Sequence, residues 1–402
     1  MQQDDRSSRR RFLKGSLALA AGSTSVRAAK KNPDGTTLAY AGSYSSPQGP
    51  EGSKGRGQGI YLFEMNPSTG GLTQRELFQN ESNPSWLAFN PAKTHLYAAN
   101  ETANGSVSAY KVDPASGHLT LLNTVSSHGA GPAQLSVHPS GKFVLVANYA
   151  GGTAAVLALQ RDGSLGEATD VKQDSGAVGP AKASSAPPGS FAISGHDRPH
   201  AHMIQSDPTG RFVIATDLGM DRIFVWKFDA AKGKLLDTGH GPAALPPGDG
   251  PRHFCFHPNG HWMYSLQEEG STLVLFDFDP ASGALAARQT ISTLPKGFAG
   301  TSFTSEVALS PDARFVYAAN RLHDSITWFS IGSTGTLTFS GEEWTRGDYP
   351  RSFSIDPSGN FLYSCNQRSD VIATFRVHRE TGRLTFTGQY TPVGTPAILV
   401  FR

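Results

Sequence analysis

Apolar and polar positions along this chain repeat with a period of about 50 residues, each period holding several short β-type runs split by tight polar turns. Six times an apolar run meets a proline, at Pro91, Pro139, Pro208, Pro258, Pro311 and Pro357. Nine residues after each stands an amide or an acid: Asn100, Asn148, Asp217, Gln267, Asn320 and Asn366. The intervening segments, such as HPSGKFVLVAN and DPSGNFLYSCN, place a Pro-x-Gly-type turn between two strand-forming runs. The clearest unit predicts strand a at residues 253–257, strand b at 262–266 and strand c at 272–278. A turn, Asp279-Pro280-Ala281-Ser282-Gly283, then leads to strand d.

Six such units begin near Pro84, Pro132, Pro199, Pro251, Phe303 and Pro350. The N-terminal part supplies b-, c- and d-like runs at residues 37–44, 59–66 and 71–78 but no strand a. The C-terminal run, residues 395–401, reads as a strand a with nothing after it. Joining the two gives an all-β, seven-bladed β-propeller over residues 37–402, its ring closed by a composite blade from the N- and C-termini. Closure hides sheet edges that would otherwise invite aggregation. Two segments break the period. Residues 45–57 are rich in Gly, Ser and Pro, and residues 166–198 include Ala186-Pro187-Pro188. Each reads equally as a lid over a site or as a surface insertion.

Composition adds constraints. The chain has 35 basic and 33 acidic residues, with no basic stripe in the repeats, which argues against nucleic acid as a partner. Cys255 and Cys365 fall within strands of different repeats and read as small core residues rather than a disulfide or metal pair. Residues 1–30 are of another kind. Ser8-Arg9-Arg10-Arg11-Phe12-Leu13-Lys14 precedes a short apolar stretch and a small-residue site at Val26-Arg27-Ala28. This is the pattern of a twin-arginine-type export signal, which predicts a periplasmic protein. Cutting after Ala28 would leave 29 basic against 31 acidic residues, with no stable membrane insertion.

Strands running up and down put the d–a and b–c connections on one face of a propeller. Comparing blades at those connections separates framework from chemistry. Six residues before the repeat proline stand Ser85, Ala133, His202, Arg252, Ser305 and Arg351. Ten residues after it stand Glu101, Tyr149, Leu218, Glu268, Arg321 and Gln367. These positions differ where the framework agrees. They converge His202, Arg252, Glu268, Arg321 and Arg351 on one channel mouth, with His253 and Glu306 next to them. Arginines gathered there need a compensating anion or carboxylate, so the mouth suits a small anionic or oxygen-rich ligand. The plainer reading is that Arg252–Glu268 and Arg321–Glu306 are ion pairs bracing loops.

Pro199-His200-Ala201-His202, Asp217-Leu218-Gly219-Met220-Asp221, Gly250-Pro251-Arg252-His253 and Asn320-Arg321-Leu322-His323-Asp324-Ser325, in this order, resemble the lactonase-type seven-bladed propellers. That family includes 6-phosphogluconolactonases and muconate lactonizing enzymes, and the resemblance runs from about residue 37 to the C-terminus. It implies a catalytic set of His202 (or His200), Arg252, Glu268 and Arg321. The family usually reads Asn-Glu-Leu where this chain has Gln267-Glu268-Glu269. It implies hydrolysis of a sugar lactone, of the 6-phosphogluconolactonase kind or of a non-phosphorylated aldonolactone. Two rivals are a muconate-type cycloisomerase and a non-catalytic ligand-binding propeller. Lactone hydrolysis needs a base, for which His202 and Glu268 are both candidates, and a cation for the oxyanion, for which Arg252 and Arg321 are. Expected around them as substrate-binding residues are His200, His253, Glu306, Asn320, Arg351, Asn366 and Gln367. No cofactor and no essential metal are expected, since His200-Ala201-His202 lacks further placed ligands. Gly55-Arg56-Gly57-Gln58-Gly59 lacks the strand-to-helix setting of a dinucleotide site. The protein is expected to be a monomer.

Overall fold

Each repeat folds as four antiparallel strands, joined in blade four by a short fifth at Ala243–Ala244, and in the computed structural model these make seven sheets among the described residues, 37–47, 54–190 and 195–402. The chain divides into Met1–Lys31 and Asn32–Arg402, and all described residues belong to the second unit. The export-type segment therefore lies outside the described residues. Blades two to seven start with strands a at Pro84–Phe89, Pro132–Val137, Ala201–Ser206, Pro251–Phe256, Phe303–Leu309 and Pro350–Ile355. Blade one is composite: Pro396–Phe401 supplies strand a, followed by Thr37–Ser43, Gly59–Met65 and Leu72–Gln79. The closing pair runs antiparallel with Ala39 opposite Phe401 and Gly42 opposite Ile398. Gly42 has no room for a side chain, because a Cβ there would run into the Pro84 carbonyl of blade two.

The repeated amide does structural work at the end of strand b. Asn148 Nδ2 donates to the Ser127 carbonyl at 2.9 Å, Asn320 Nδ2 to Thr293 O at 3.1 Å, and Asn366 Nδ2 to Thr345 O at 2.8 Å. Each bond ties strand b to the segment arriving from the preceding blade. Blade four differs. Asp217 cannot donate, and the arriving residue is Asp174, a second buried carboxyl. Asp217 Oδ1 accepts the His200 and Met220 amides, while one oxygen of each carboxyl has no hydrogen-bond partner.

A second repeated position, six residues after the proline, holds blades to one another. Tyr97, Tyr264, Tyr317 and Tyr363 each donate from a buried hydroxyl to the carbonyl of a turn glycine in the next blade, at 2.8–3.0 Å. Tyr40 of blade one does the same to Gly117 at 2.6 Å. Such a bond contributes about 1 kcal/mol net. Blades three and four carry Leu145 and Ile214 at this position, both fully buried in apolar clusters.

The described residues of the two insertions are docked against the blades. The first residues of the 166–198 segment prolong strand d of blade three, which spans Leu165–Gln173, because Ala168, Asp170 and Val171 pair with strand c. Its later described residues meet connections on the d–a/b–c face. Gly179 N bonds Gly219 O at 2.8 Å, buried His196 meets Asp221 at 3.1 Å, and Pro188 O accepts from Gly300 N at 2.8 Å, near blade six. The 45–57 segment is held at both ends. Ser45 and Ser46 amides bond Asn83 Oδ1, and Arg56 Nε lies 2.6 Å from Asp370 Oδ2. Both cysteines are free.

Candidate active site

One backbone device builds the mouth. In every blade, strand a skips a residue in its pairing with strand b, and such a bulge re-aims the side chain it carries. The skipped residues are Ala397, Ser85, Ala133, His202, Arg252 and Arg351 in blades one to five and seven. In blade six the gap takes both Ser305 and Glu306. The b–c residues are stitched alongside by backbone bonds. Glu101 N donates to Asn83 O, Tyr149 N to Gly131 O, Glu268 N to Gly250 O and Gln367 N to Tyr349 O, at 2.7–3.0 Å.

Glu268 is the hub. Its Oε2 lies 3.0 Å from Arg252 Nε and 2.7 Å from Arg321 Nη2, and all three side chains are buried. Arg321 pairs with Glu268, and Glu306 Oε1 faces His253 Nδ1 at 3.1 Å. Arg252 also donates from Nη1 to the Ser305 carbonyl, and Arg321 from Nη2 to Thr304 O at 3.0 Å. The Arg321 guanidinium lies 5.1 Å from the Tyr349 ring centre and 5.7 Å from that of Phe303. Burial, with the charges of Arg321 and Arg351, brings the Arg252 pKa down from its ordinary 12.5 to about 10.

His202 stands beside this hub. Its ring meets His253 edge-on at 5.0 Å and Tyr149 at 5.4 Å. It is buried, and Nδ1 has no hydrogen-bond partner. Burial holds its pKa well below the usual 6.5, and the charges of Arg252, His253, Arg351 and Arg321 push the same way. A neutral imidazole results. Burial also lowers His253, against the pull of Glu306. One residue further along strand a, Trp86 of blade two reaches His253 of blade five at 5.1 Å and spans the channel. Ser85 Oγ, Gln367 Oε1 and Glu306 Oε2 are further buried atoms at this end without a hydrogen-bond partner.

Not every candidate residue faces the mouth chemistry. His200 stacks on Tyr149 at 4.2 Å, with Nδ1 at 2.9 Å from Tyr149 O and Nε2 at 2.7 Å from Asp197. Asn320 and Asn366 spend their amides within the blades. Two residues outside the expected set do join it, Tyr149 through His202 and Glu101 through Arg351, whose Nη2 lies 3.8 Å from Glu101 Oε1. Both sit at the b–c position already marked by the comparison between blades. On the opposite face, a cleft of about 880 Å³ presents Arg211, Lys227 and His240, all solvent-exposed. Among the described residues, no three His, Cys, Asp or Glu side chains gather so as to hold a metal ion.

A seven-bladed propeller with a buried Arg–Glu–Arg hub and a neutral histidine at one mouth defines a protein that handles small polar molecules. The chain belongs to the lactonase family of seven-bladed β-propellers, whose family model matches residues 38–401. It is 33% identical to a 6-phosphogluconolactonase of Bacillus subtilis over 366 residues, 90% of this chain and 98% of that one. It is 30% identical to a 6-phosphogluconolactonase of Formosa agariphila, over 82% of this chain and 91% of that one. In structure it resembles the periplasmic gluconolactonase of Pseudomonas aeruginosa with a TM-score of 0.80 and 28% identity, covering 91% of this chain and 99% of that one.

Proposed function

We propose that the protein hydrolyses the ring ester of an aldonolactone without a metal, in the periplasm. The observation that carries this is the neutral His202 beside two guanidiniums that share Glu268. Glu268 Oε2 is held by both arginines, which makes His202 the better placed general base. Its unpartnered Nδ1 takes a proton from water as the water oxygen bonds to the lactone carbonyl carbon. The carbonyl oxygen becomes an oxyanion facing the Arg252–Arg321 pair, aligned in advance by Glu268. The carbonyl carbon then releases the ring oxygen, which receives the proton from His202, leaving a hydroxy acid whose carboxyl group loses its proton to solvent and meets the same arginines as a carboxylate. Base and oxyanion donor each supply roughly 10²–10³-fold in rate.

The mouth balances three arginines, Arg252, Arg321 and Arg351, against Glu101, Glu268 and Glu306, with His202 neutral. A neutral polyhydroxy lactone fits that balance better than a phosphate ester. Export of the chain, supported by the twin-arginine pattern and by the periplasmic gluconolactonase it resembles, points the same way. The test is direct. Glucono-δ-lactone, its 6-phosphate and a muconolactone are assayed with and without a chelator. Chelator-resistant hydrolysis of the gluconolactones is expected. Activity confined to the muconolactone, or restored only by a divalent ion, overturns the proposal.

A further inference from the structure

Glu101 differs from the other mouth carboxylates in where it comes from. Glu268 and Glu306 belong to blades five and six and serve the neighbouring Arg252, Arg321 and His253. Glu101 comes from the b–c loop of blade two and meets Arg351 of blade seven. Tyr44 of blade one ties them together. Its hydroxyl donates to Glu101 Oε2 at 2.8 Å, and the Arg351 guanidinium lies 5.5 Å from its ring centre. The Glu101 carbonyl accepts from Asn83 Nδ2 at 3.0 Å, and Asn83 Oδ1 in turn accepts the Ser45 and Ser46 amides. The blade-one insertion is thereby anchored to the loop that carries Glu101.

We propose that Glu101 is a specificity-determining residue, accepting a hydrogen bond from a distal hydroxyl of the lactone and repelling a phosphate ester at that position. The proposal rests on the lactone-hydrolase reading above. Arg252 and Arg321 lie against Glu268, at the reacting end. Arg351 lies against Glu101 at 3.8 Å, beyond direct hydrogen-bond range, so the two are spaced to share a hydroxyl between them. A phosphate dianion placed there meets a fixed like charge, the arrangement by which binding sites reject a wrong partner.

The experiment compares kcat/KM on glucono-δ-lactone and its 6-phosphate for the full-length wild type, Glu101→Gln and Tyr44→Phe, with thermal melts as a folding control. The wild type should favour the neutral lactone by roughly 10–100-fold. Glu101→Gln should narrow that ratio about ten-fold, raising KM for the neutral lactone while leaving its kcat nearly unchanged. A folded Glu101→Gln protein with an unchanged ratio, or a wild type that favours the phosphate, overturns the proposal. If Glu101→Gln does not fold, Tyr44→Phe, which loses only a hydroxyl, must narrow the ratio, and an unchanged ratio there overturns it. A wild type inert on both lactones sinks the lactone-hydrolase reading instead. Calorimetric binding of gluconate against 6-phosphogluconate then tests Glu101 alone, and equal preference in wild type and Glu101→Gln rejects its role.

Discussion

Blades four to seven and blades one to three bend strand a in the same way and load the bend differently. The first arc presents His202, Arg252, Ser305 with Glu306, and Arg351, while the second presents Ala397, Ser85 and Ala133. Bulk and charge on one side face small residues on the other. The bends of the ring are thus asymmetric, and Trp86 crosses from the small-residue arc to His253 at 5.1 Å. The contrast teaches that this fold places function by side-chain choice at one repeated bend.

The contrast breaks most sharply at its charged end. Arg252→Ala should lower kcat on the preferred lactone by roughly 10²–10³-fold, the loss typical of removing one oxyanion donor. Steady-state kinetics checks this, and a fall of less than ten-fold would remove Arg252 from the reacting end. On the other arc, Ala133→Leu should lower kcat/KM by roughly ten-fold, less than the ~10²-fold that a 1 Å misplacement can cost, because the enlarged side chain takes space the ligand needs. Unchanged kinetics there would show that the small residues serve packing only.

The pH profile sharpens the comparison further. Because burial first, and then the surrounding charges, hold His202 well below 6.5, its neutral form persists into mildly acidic solution. The acid limb of kcat/KM should therefore fall below pH 6.5, and His202→Asn should lose the activity together with that limb. A limb centred at 6.5 or above would point to another group.

The smallest expected effect lies in the framework of the charged arc. Burial first, and then the facing Asp217, push the Asp174 carboxyl far above the carboxylate range. The folded protein keeps a proton there that the unfolded chain releases near pH 4, so the pair's contribution to stability declines as pH rises above that point. Asp217→Asn restores the amide found in neighbouring blades and should raise the melting temperature by roughly 2 °C at pH 8, with little change at pH 4. Equal shifts at both pH values would argue against proton sharing.

The repeat made the blade count and the ring closure legible, because an orphan strand a at residues 396–401 and a blade lacking one can only be partners. Positions six before and ten after the proline were legible for the same reason, since framework agreement threw their variation into relief. What stayed hidden were contacts between blades. Glu101 stood in the right register, but its partner Arg351 lies across blade one, and comparison within repeats carries no information about that distance. Glu306 belongs to the same blade as Arg321, yet its Oε1 faces His253 of blade five at the bulge of blade six. The bulges themselves are invisible to a two-residue period, although they aim the strand-a side chains at the mouth. The pairing of Asp174 with Asp217 was hidden too, because strand d of blade three runs on to Gln173 inside what reads as a loop.

The last strand of the propeller is the one that shuts the ring. Within the propeller, Thr37–Ser43 is synthesised first and its partner, residues 396–401, last. Pairing them closes a loop of nearly the whole chain, the slowest kind of contact to form. Blades two to six can stack as they are translated, but the mouth cannot take shape until Arg351 and Tyr44 are drawn together around the finished circle. A propeller lacking residues 396–401 leaves the circle open and this corner unassembled.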